Sequence, residues 1–592
     1  MTRHDETSPG ARMAGKVAPG VFAAAGLIAL VTLVARVFGF GRWLVFSQTV
    51  GATCVGNVYQ AANQLPNVVF EVAAGGALAA VAVPIIAGQL ARQDQTGANQ
   101  ATQTASALLT WALTVLGPLS ILMAAAAFPL SKLLVGVEKC SGSTDLMASM
   151  LVVFAPQIAL YGVGIVLAGV LQAHRRFLAG AVAPLLSSVV VIATYLLFAA
   201  LAQGMGDDLT RLPSQASTVL AAGTTLGVVA LSLPLLIPMH RAGIRLHPTW
   251  TFPEGVARRA RALTGAGLLA LLAQQVAVLV TLWVSQHRGG PGTLNVYVYV
   301  QAVYLLPYAV LAVPVAIAAF PSMASRLDQA AMATGLDQAA IAGGSEQQAM
   351  ASGSDPMSVE HAEQTLASSA RAITLVTCAG AAVLVAIAPP IGAFFSALDA
   401  GRHSRAGQEA LAALPGALTA FAPGLVGFGM AALLTRALYV RGRPAIAGAV
   451  VAVGWLIAAV VPLIALQDDA GPRNTLQWLG FASSVGMTVA AAGLFVAVRG
   501  AWGPQAFQGL GRSAMVAVGS GVLSAAVGRG IAERLDPHGI APGAVVTVLV
   551  MMVVLTLSAA SVWIGDNESA RLVLAKVRRP ARREMTRRDS AE

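Results

Sequence analysis

Arg36 and Arg42 stand six residues apart in LVARVFGFGRW (Leu33–Trp43), inside an apolar run that begins near Val21. A charge at bilayer depth costs about 2.5–3.5 kcal/mol on insertion scales, so two arginines here need a purpose. The planar guanidinium bonds a phosphate or carboxylate through two parallel N–H donors. The chemistry on offer is therefore anion binding in an apolar setting. Arg42 also fits a snorkelling position near the outer interface. Arg36 fits that less well, because it lies about fifteen residues, roughly 22 Å, into the run. On an ideal helix the two side chains point about 120° apart. Gly39 and Gly41 between them allow a bend or the approach of another backbone.

A second group follows in CVGNVYQAANQLPNVVFEVAAGGAL (Cys54–Leu78), where Asn57, Gln60, Asn63, Gln64 and Asn67 crowd the start of a second apolar run. Spacings of three and four place Gln60, Asn63, Gln64 and Asn67 on one stripe, which Glu71 extends. Such a stripe either bonds helix to helix or lines a cavity. Glu71 is read as an ion-pair partner of Arg36 or a proton-linked group. In NVYVYVQAVYLLPY, Tyr297 and Tyr299 suit an aromatic belt, whereas Gln301 is expected to face the space between the halves. Gln274 and Gln275 are read as packing contacts. The binding set is thus Arg36, Arg42, Asn57, Gln60, Asn67, Glu71 and Gln301.

No His/Asp/Ser constellation, phosphate loop or carboxylate cluster lies in or near the apolar runs, so the chain reads as no enzyme and needs no cofactor. The three cysteines form no CxxC or Cys/His cluster, so no metal site is expected. Cys54 and Cys140 both fall in predicted outer loops. A disulfide is open to them there, with free thiols the expected state.

These residues must be positioned by helices in a membrane. The chain has 592 residues, 56% hydrophobic and 11% charged, where a soluble domain carries about 25% charge. The expectation is an all-α polytopic membrane protein with spans at 21–45, 62–90, 104–130, 146–173, 177–203, 216–239, 262–286, 295–321, 369–396, 407–438, 444–466, 474–498, 510–532 and 541–565. The polar start and a first run long enough to span argue against a cleaved signal peptide. With both termini cytoplasmic, twenty-six of the 37 lysines and arginines fall on inner segments and nine on outer ones, which is the positive-inside bias. The net charge of +11 marks that face rather than nucleic-acid binding.

The chain also repeats itself. FAPQIALYGVGIVLAGVLQAHRRF from Phe154 echoes FAPGLVGFGMAALLTRALYVRGRP from Phe421. A weaker echo joins PIIAGQL at Pro84 to PSMASRL at Pro321. Two six-helix halves of equal orientation follow, related by a pseudo-twofold axis along the membrane normal, with a site between them as in an alternating-access transporter. The divisions are a 1–20 cytoplasmic segment, an N-lobe at 21–239, a basic linker at 240–261 and a C-lobe at 262–498. Two further helices occupy 510–565 and a basic tail 566–592. Within the C-lobe, 322–368 has the composition of a mobile cytoplasmic linker. The tail is read as lying near anionic lipid.

RVFGFGRWLVFSQTVGA, then NQLPNVV and AVAVPIIAGQLAR, resembles the opening of the MviN/MurJ family, lipid II flippases of the multidrug/oligosaccharidyl-lipid/polysaccharide exporter superfamily. The family pattern falls on Arg36, Gly39, Arg42, Leu65, Pro66, Asn67, Val83 and Pro84. The resemblance implies fourteen helices, a V-shaped cavity between lobes, a lipid-tail groove at the last two helices and a bacterial cytoplasmic-membrane location. It implies transfer of undecaprenyl-pyrophosphate-linked disaccharide-pentapeptide from the inner to the outer leaflet, with Arg36 and Arg42 meeting the pyrophosphate. The chain departs from the pattern in three places. Asn57 stands where many members are acidic, Phe70 and then Glu71 where they carry arginine, and Ala302 beside Gln301 where they carry another. No acidic cluster marks helices 7, 11 and 12 for sodium. Competing readings are an exporter of another polysaccharide-linked lipid or of a drug, for which cavity carboxylates are expected. Another is a non-transporting scaffold whose basic tail and 322–368 segment meet cell-wall synthesis or division proteins.

Overall fold

The structure is a computed structural model that describes residues 19–75, 83, 85–90, 95–135, 140–174, 176–253, 256–320, 323, 356–399 and 405–571. Every regular element among them is helical. The first half runs α1 (Pro19–Thr49), α2 (Cys54–Phe70), α3 (Gln95–Ala125), α4 (Ala127–Val135), α5 (Ser143–Phe154), α6 (Gln157–Ala173), α7 (Phe177–Ala202), α8 (Ser214–Ser232) and α9 (Leu236–Arg241). The second comprises α10 (Val256–Val284), α11 (Thr293–Pro307), α12 (Pro356–Asp399), α13 (Arg405–Ala412), α14 (Leu414–Phe421), α15 (Gly424–Val440), α16 (Pro444–Ala465) and α17 (Gly471–Trp502). Two more, α18 (Leu510–Leu535) and α19 (Ile540–Gly565), pack on α12.

Eleven helices among the described residues are long and apolar enough to cross a membrane, or twelve if the pair bent by 48° at Gly407–Phe421 and Gly424–Val440 is one span. Helices α1 and α2 occupy the first two expected places without entering that count, so fourteen stays an expectation. The repeat is written into the helix boundaries. Helix α5 stops at Phe154 and α6 starts at Gln157, while α14 stops at Phe421 and α15 starts at Gly424. The next boundaries, Ala173 to Phe177 and Val440 to Pro444, keep the same register. The cause of the break is local. Pro156 and Pro423 lack the N–H that would continue the ladder, and their rings collide with the carbonyl four residues back. Phe154 and Phe421 are both buried and anchor the bend. The Pro84 and Pro321 echo lies outside the described residues.

Small residues let the helices close up where no water drives them together. A Cβ on Gly454 of α16 would stand 2.6 Å from the Gly486 carbonyl oxygen of α17. The main core joins Phe46, Tyr59 and Phe154 of the first half to Tyr299, Phe395 and Phe421 of the second. A separate core at the far end of the second half holds Leu366, Ile373, Leu434 and Trp502.

Three expectations change. The linker expected to run to 368 ends earlier, because α12 is already helical from Pro356. Ala362, Leu366, Ala370 and Ile373 recur at helical spacing and are fully buried, so their apolar stripe docks this stretch instead of releasing it. Helix α2 starts at Cys54 rather than near residue 62, capped by the Thr53 side chain, which accepts from the Gly56 N–H. Cys54 and Cys140 are joined in a disulfide with Cα atoms 6.2 Å apart, and Cys378 is free and buried. Two cysteines 86 residues apart carry no local signal that they meet.

Candidate functional site

Helix α1 runs unbroken through Gly39 and Gly41, and a Cβ on either would meet nothing within 4 Å. The glycines neither bend the helix nor admit a neighbouring backbone. They leave open space beside the arginines. Arg36 is exposed and Arg42 half-buried. At 1.5 Å per residue they lie about 20 Å and about 10 Å from the Thr49 end of α1. Arg42 sits 5.4 Å from the Trp43 ring centroid, within cation–π reach.

The polar stripe of α2 divides by depth. Asn57 and Gln60 are buried, Asn63 and Gln64 half-buried, and Asn67 exposed. Glu71, half-buried, opens a single π turn, Glu71–Gly75, a local irregularity that leaves the i→i−4 ladder of the helix. The lower part of the stripe is open, and the upper half, at Asn57, bonds helix to helix.

That upper half is a seam between the two halves. The Asn57 side-chain N–H donates to Gln286 Oε1, and the Gln286 amide donates back to the Asn57 carbonyl at 3.5 Å. The Leu294 N–H donates to Asn57 Oδ1 at 3.3 Å, and Asn295 Nδ2 donates to the Gly51 carbonyl at 2.9 Å. Gly292, at φ +78°, turns the chain between α10 and α11, and a Cβ there would stand 3.0 Å from the Ala52 carbonyl oxygen. Below the seam lies an aromatic roof. Phe46 packs on Tyr59, Tyr195 and Tyr299 with centroids 5.8, 5.3 and 6.3 Å apart, and Tyr299 stacks on Phe395 at 4.9 Å.

Each side of the seam is stiffened from behind. The Cys54 N–H donates to Asp207 at 3.1 Å, the Val55 N–H to Gly206 at 2.9 Å, and the disulfide ties Cys54 to the segment before α5. Opposite, Arg288 donates to the carbonyls of Leu463 and Leu466 at 2.8 and 2.9 Å. A cation on the last carbonyls of α16 complements its dipole.

Gln301 faces elsewhere. It donates to the Tyr297 hydroxyl at 3.0 Å and lines a cavity of about 240 Å³ within the second half, with Gln274, Thr281, Tyr304, Trp455 and Ser483. The structure thus brings Asn57 into the seam, buries Gln60 with its amide nitrogen unpaired, leaves Arg36 and Asn67 exposed and Glu71 half-buried, and places Gln301 in a separate neutral pocket. Phe70 is buried against Tyr161, with centroids 5.7 Å apart. Sequence reasoning missed Gln286 and Asn295, whose signal was available as polar side chains flanking a Gly-Gly-Pro-Gly turn. No group of three metal-ligating side chains occurs among the described residues.

The sequence profile described as "Lipid II flippase MurJ" matches residues 46–541. A "Probable lipid II flippase MurJ" of Rhizobium tropici is 27% identical over 298 residues, 50% of this chain and 54% of that protein. Another, of Synechocystis sp., is 29% identical over 242 residues, 39% of this chain and 42% of that protein. The chain thus spans about half the length of the curated relatives it matches. Among solved structures, "Lipid II flippase MurJ, inward closed conformation" superposes with a TM-score of 0.66 at 15% identity, covering 91% of this chain and 98% of that one. The structure titled "Inward-facing conformation of a multidrug resistance MATE family transporter of the MOP superfamily" gives 0.59 at 13% identity, covering 82% and 99%. At these identities the structures show a shared fold.

Proposed function

This chain belongs to the MurJ family of lipid II flippases, and on that premise we propose that it moves undecaprenyl-pyrophosphate-linked disaccharide-pentapeptide from the inner to the outer leaflet of the bacterial cytoplasmic membrane. Both termini lie on the cytoplasmic side in this reading, and no chemical bond changes. Lipid II is the partner, with bulk lipid around it. The observation that carries the reading is the seam. Two arginine side chains at membrane depth lie below a hydrogen-bonded closure between the halves, so the anion site is shut toward the disulfide end.

Each part has a physical task. Arg36 and Arg42 supply planar donors for the pyrophosphate oxygens, and bidentate contacts there offset the burial of charge. Asn63, Gln64 and Asn67 offer neutral donors and acceptors to the sugar and peptide along the open lower stripe. The seam's neutral hydrogen bonds contribute about 0.5–1.5 kcal/mol each. These bonds add a few kilocalories to the closed state beyond the aromatic contacts between the halves, an amount that differential binding of a polyanionic headgroup can overturn. Opening the seam while the opposite ends of the lobes converge passes the headgroup across, with its lipid tail remaining in the bilayer.

The test is a tether across the seam. In a variant lacking native cysteines, Gly51→Cys and Asn295→Cys place thiols where a backbone-to-side-chain bond now spans the halves. Cross-linking them should abolish lipid II export, and cleavage of the cross-link should restore it. Full export by the cross-linked protein would remove the seam from the mechanism.

A further inference from the structure

The segment that joins the halves is not a free linker. From Gly243 to Pro253 it runs extended along α3, bound at four points. The His247 N–H donates to Ser106 Oγ and the Thr249 N–H to Thr110 Oγ1, both at 3.1 Å. Gln103 Nε2 donates to the Thr251 carbonyl at 3.3 Å, and Trp111 Nε1 to the Trp250 carbonyl at 3.1 Å. Side chains alternate as an extended strand requires. Ile244, Leu246 and Phe252 pack on the core, while Arg245 and His247 are exposed. Arg241, at the end of α9, is exposed beside them. Neither Arg241 nor Arg245 has a carboxylate partner among the described residues.

Depth is fixed by α3. Its first ten residues, QTGANQATQT, are polar, and its apolar run starts at Ala105. The strap crosses α3 between Gln103 and Trp111, at the polar-to-apolar boundary. There Trp111 and Trp250 meet edge to face, with centroids 5.4 Å apart, and stay 43% and 55% exposed. A tryptophan pair at that depth, with arginines lacking a carboxylate partner on the same strap, is the chemistry of a bilayer interface.

We propose that the Arg241–Pro253 strap is a binding surface for anionic phospholipid of the inner leaflet, with Arg241 and Arg245 taking the phosphates and the Trp111–Trp250 pair setting its depth. Because the same strap links the halves, headgroup charge in that leaflet acts on the connection between them.

The experiment uses the full chain in nanodiscs, with bimane on Thr251→Cys in a Cys378→Ser background. Brominated phosphatidylglycerol and brominated phosphatidylcholine are compared as quenchers at equal mole fraction. Phosphatidylglycerol should quench more strongly, by about fivefold in local enrichment for each arginine engaged, and the excess should shrink in high salt. In Arg241→Gln/Arg245→Gln the two lipids should quench equally, on a protein with unchanged elution and melting. Equal quenching in the parent, no quenching by either lipid, or an anionic preference that survives the double substitution would each overturn the proposal.

Discussion

Arg36 and Arg42 answer to different surroundings, and their substitution should show it. Arg36→Ala removes a charge with no hydrogen bond or ion pair among the described residues, so protein level should stay near normal while export is lost. Arg36→Lys keeps the charge without the planar fork and should restore export only in part; complementation of a depletion strain reads both. Arg42 was open to snorkelling on sequence alone. Half-buried and 5.4 Å from the Trp43 ring centroid, it is held more closely than Arg36, and Arg42→Ala should be comparably damaging. Phe70, where the family pattern carries arginine, sits in a dry contact. A cavity short of one cation would tolerate Phe70→Arg, but Phe70 is 2% exposed against Tyr161. A charge there is left unpaired in an apolar contact, at a cost of several kcal/mol. Membrane levels of Phe70→Arg should collapse while Phe70→Leu, a smaller apolar change, keeps most of its protein.

At the scale of elements, what the sequence disclosed and what it hid separate cleanly. The Phe-Ala-Pro break was legible because proline acts within one turn, so its effect is written where it stands. The apolar runs were legible because a bilayer demands them. The seam was not, since Asn57 and Gln286 are 229 residues apart and each looks like an ordinary polar residue at a helix end. The Cys54–Cys140 bond was hidden for the same reason. Closing so long a loop stabilises by about 2–4 kcal/mol in typical cases. Thiol counting checks it: the denatured, unreduced protein should show one thiol, Cys378, and the reduced protein three. Three thiols without reductant would remove the brace behind α2. Asn57→Ala should loosen the seam without unfolding either half, seen as faster labelling of a cysteine at Asn295 while the melting temperature holds.

For the whole molecule, the internal repeat supplies the geometry, and membership of the family motivates the proposed cargo. Matching helix boundaries at Phe154 and Phe421 predict that the two halves superpose by a rotation about the membrane normal; an experimental structure that places those two breaks non-equivalently would end that account. The neutral pocket at Gln301 is lined by residues of the second half, which separates it from Arg36 and Arg42 on α1. The central claim is that this chain carries lipid II outward. It is tested most directly by measuring lipid II on the outer leaflet of cells depleted of their own flippase and supplied with this protein. Outer-leaflet lipid II should return to the undepleted level with the parent chain and stay at the depleted level with Arg36→Ala at equal protein abundance. An outer leaflet that remains empty with the parent chain present in the membrane, or that refills equally with Arg36→Ala, would contradict it.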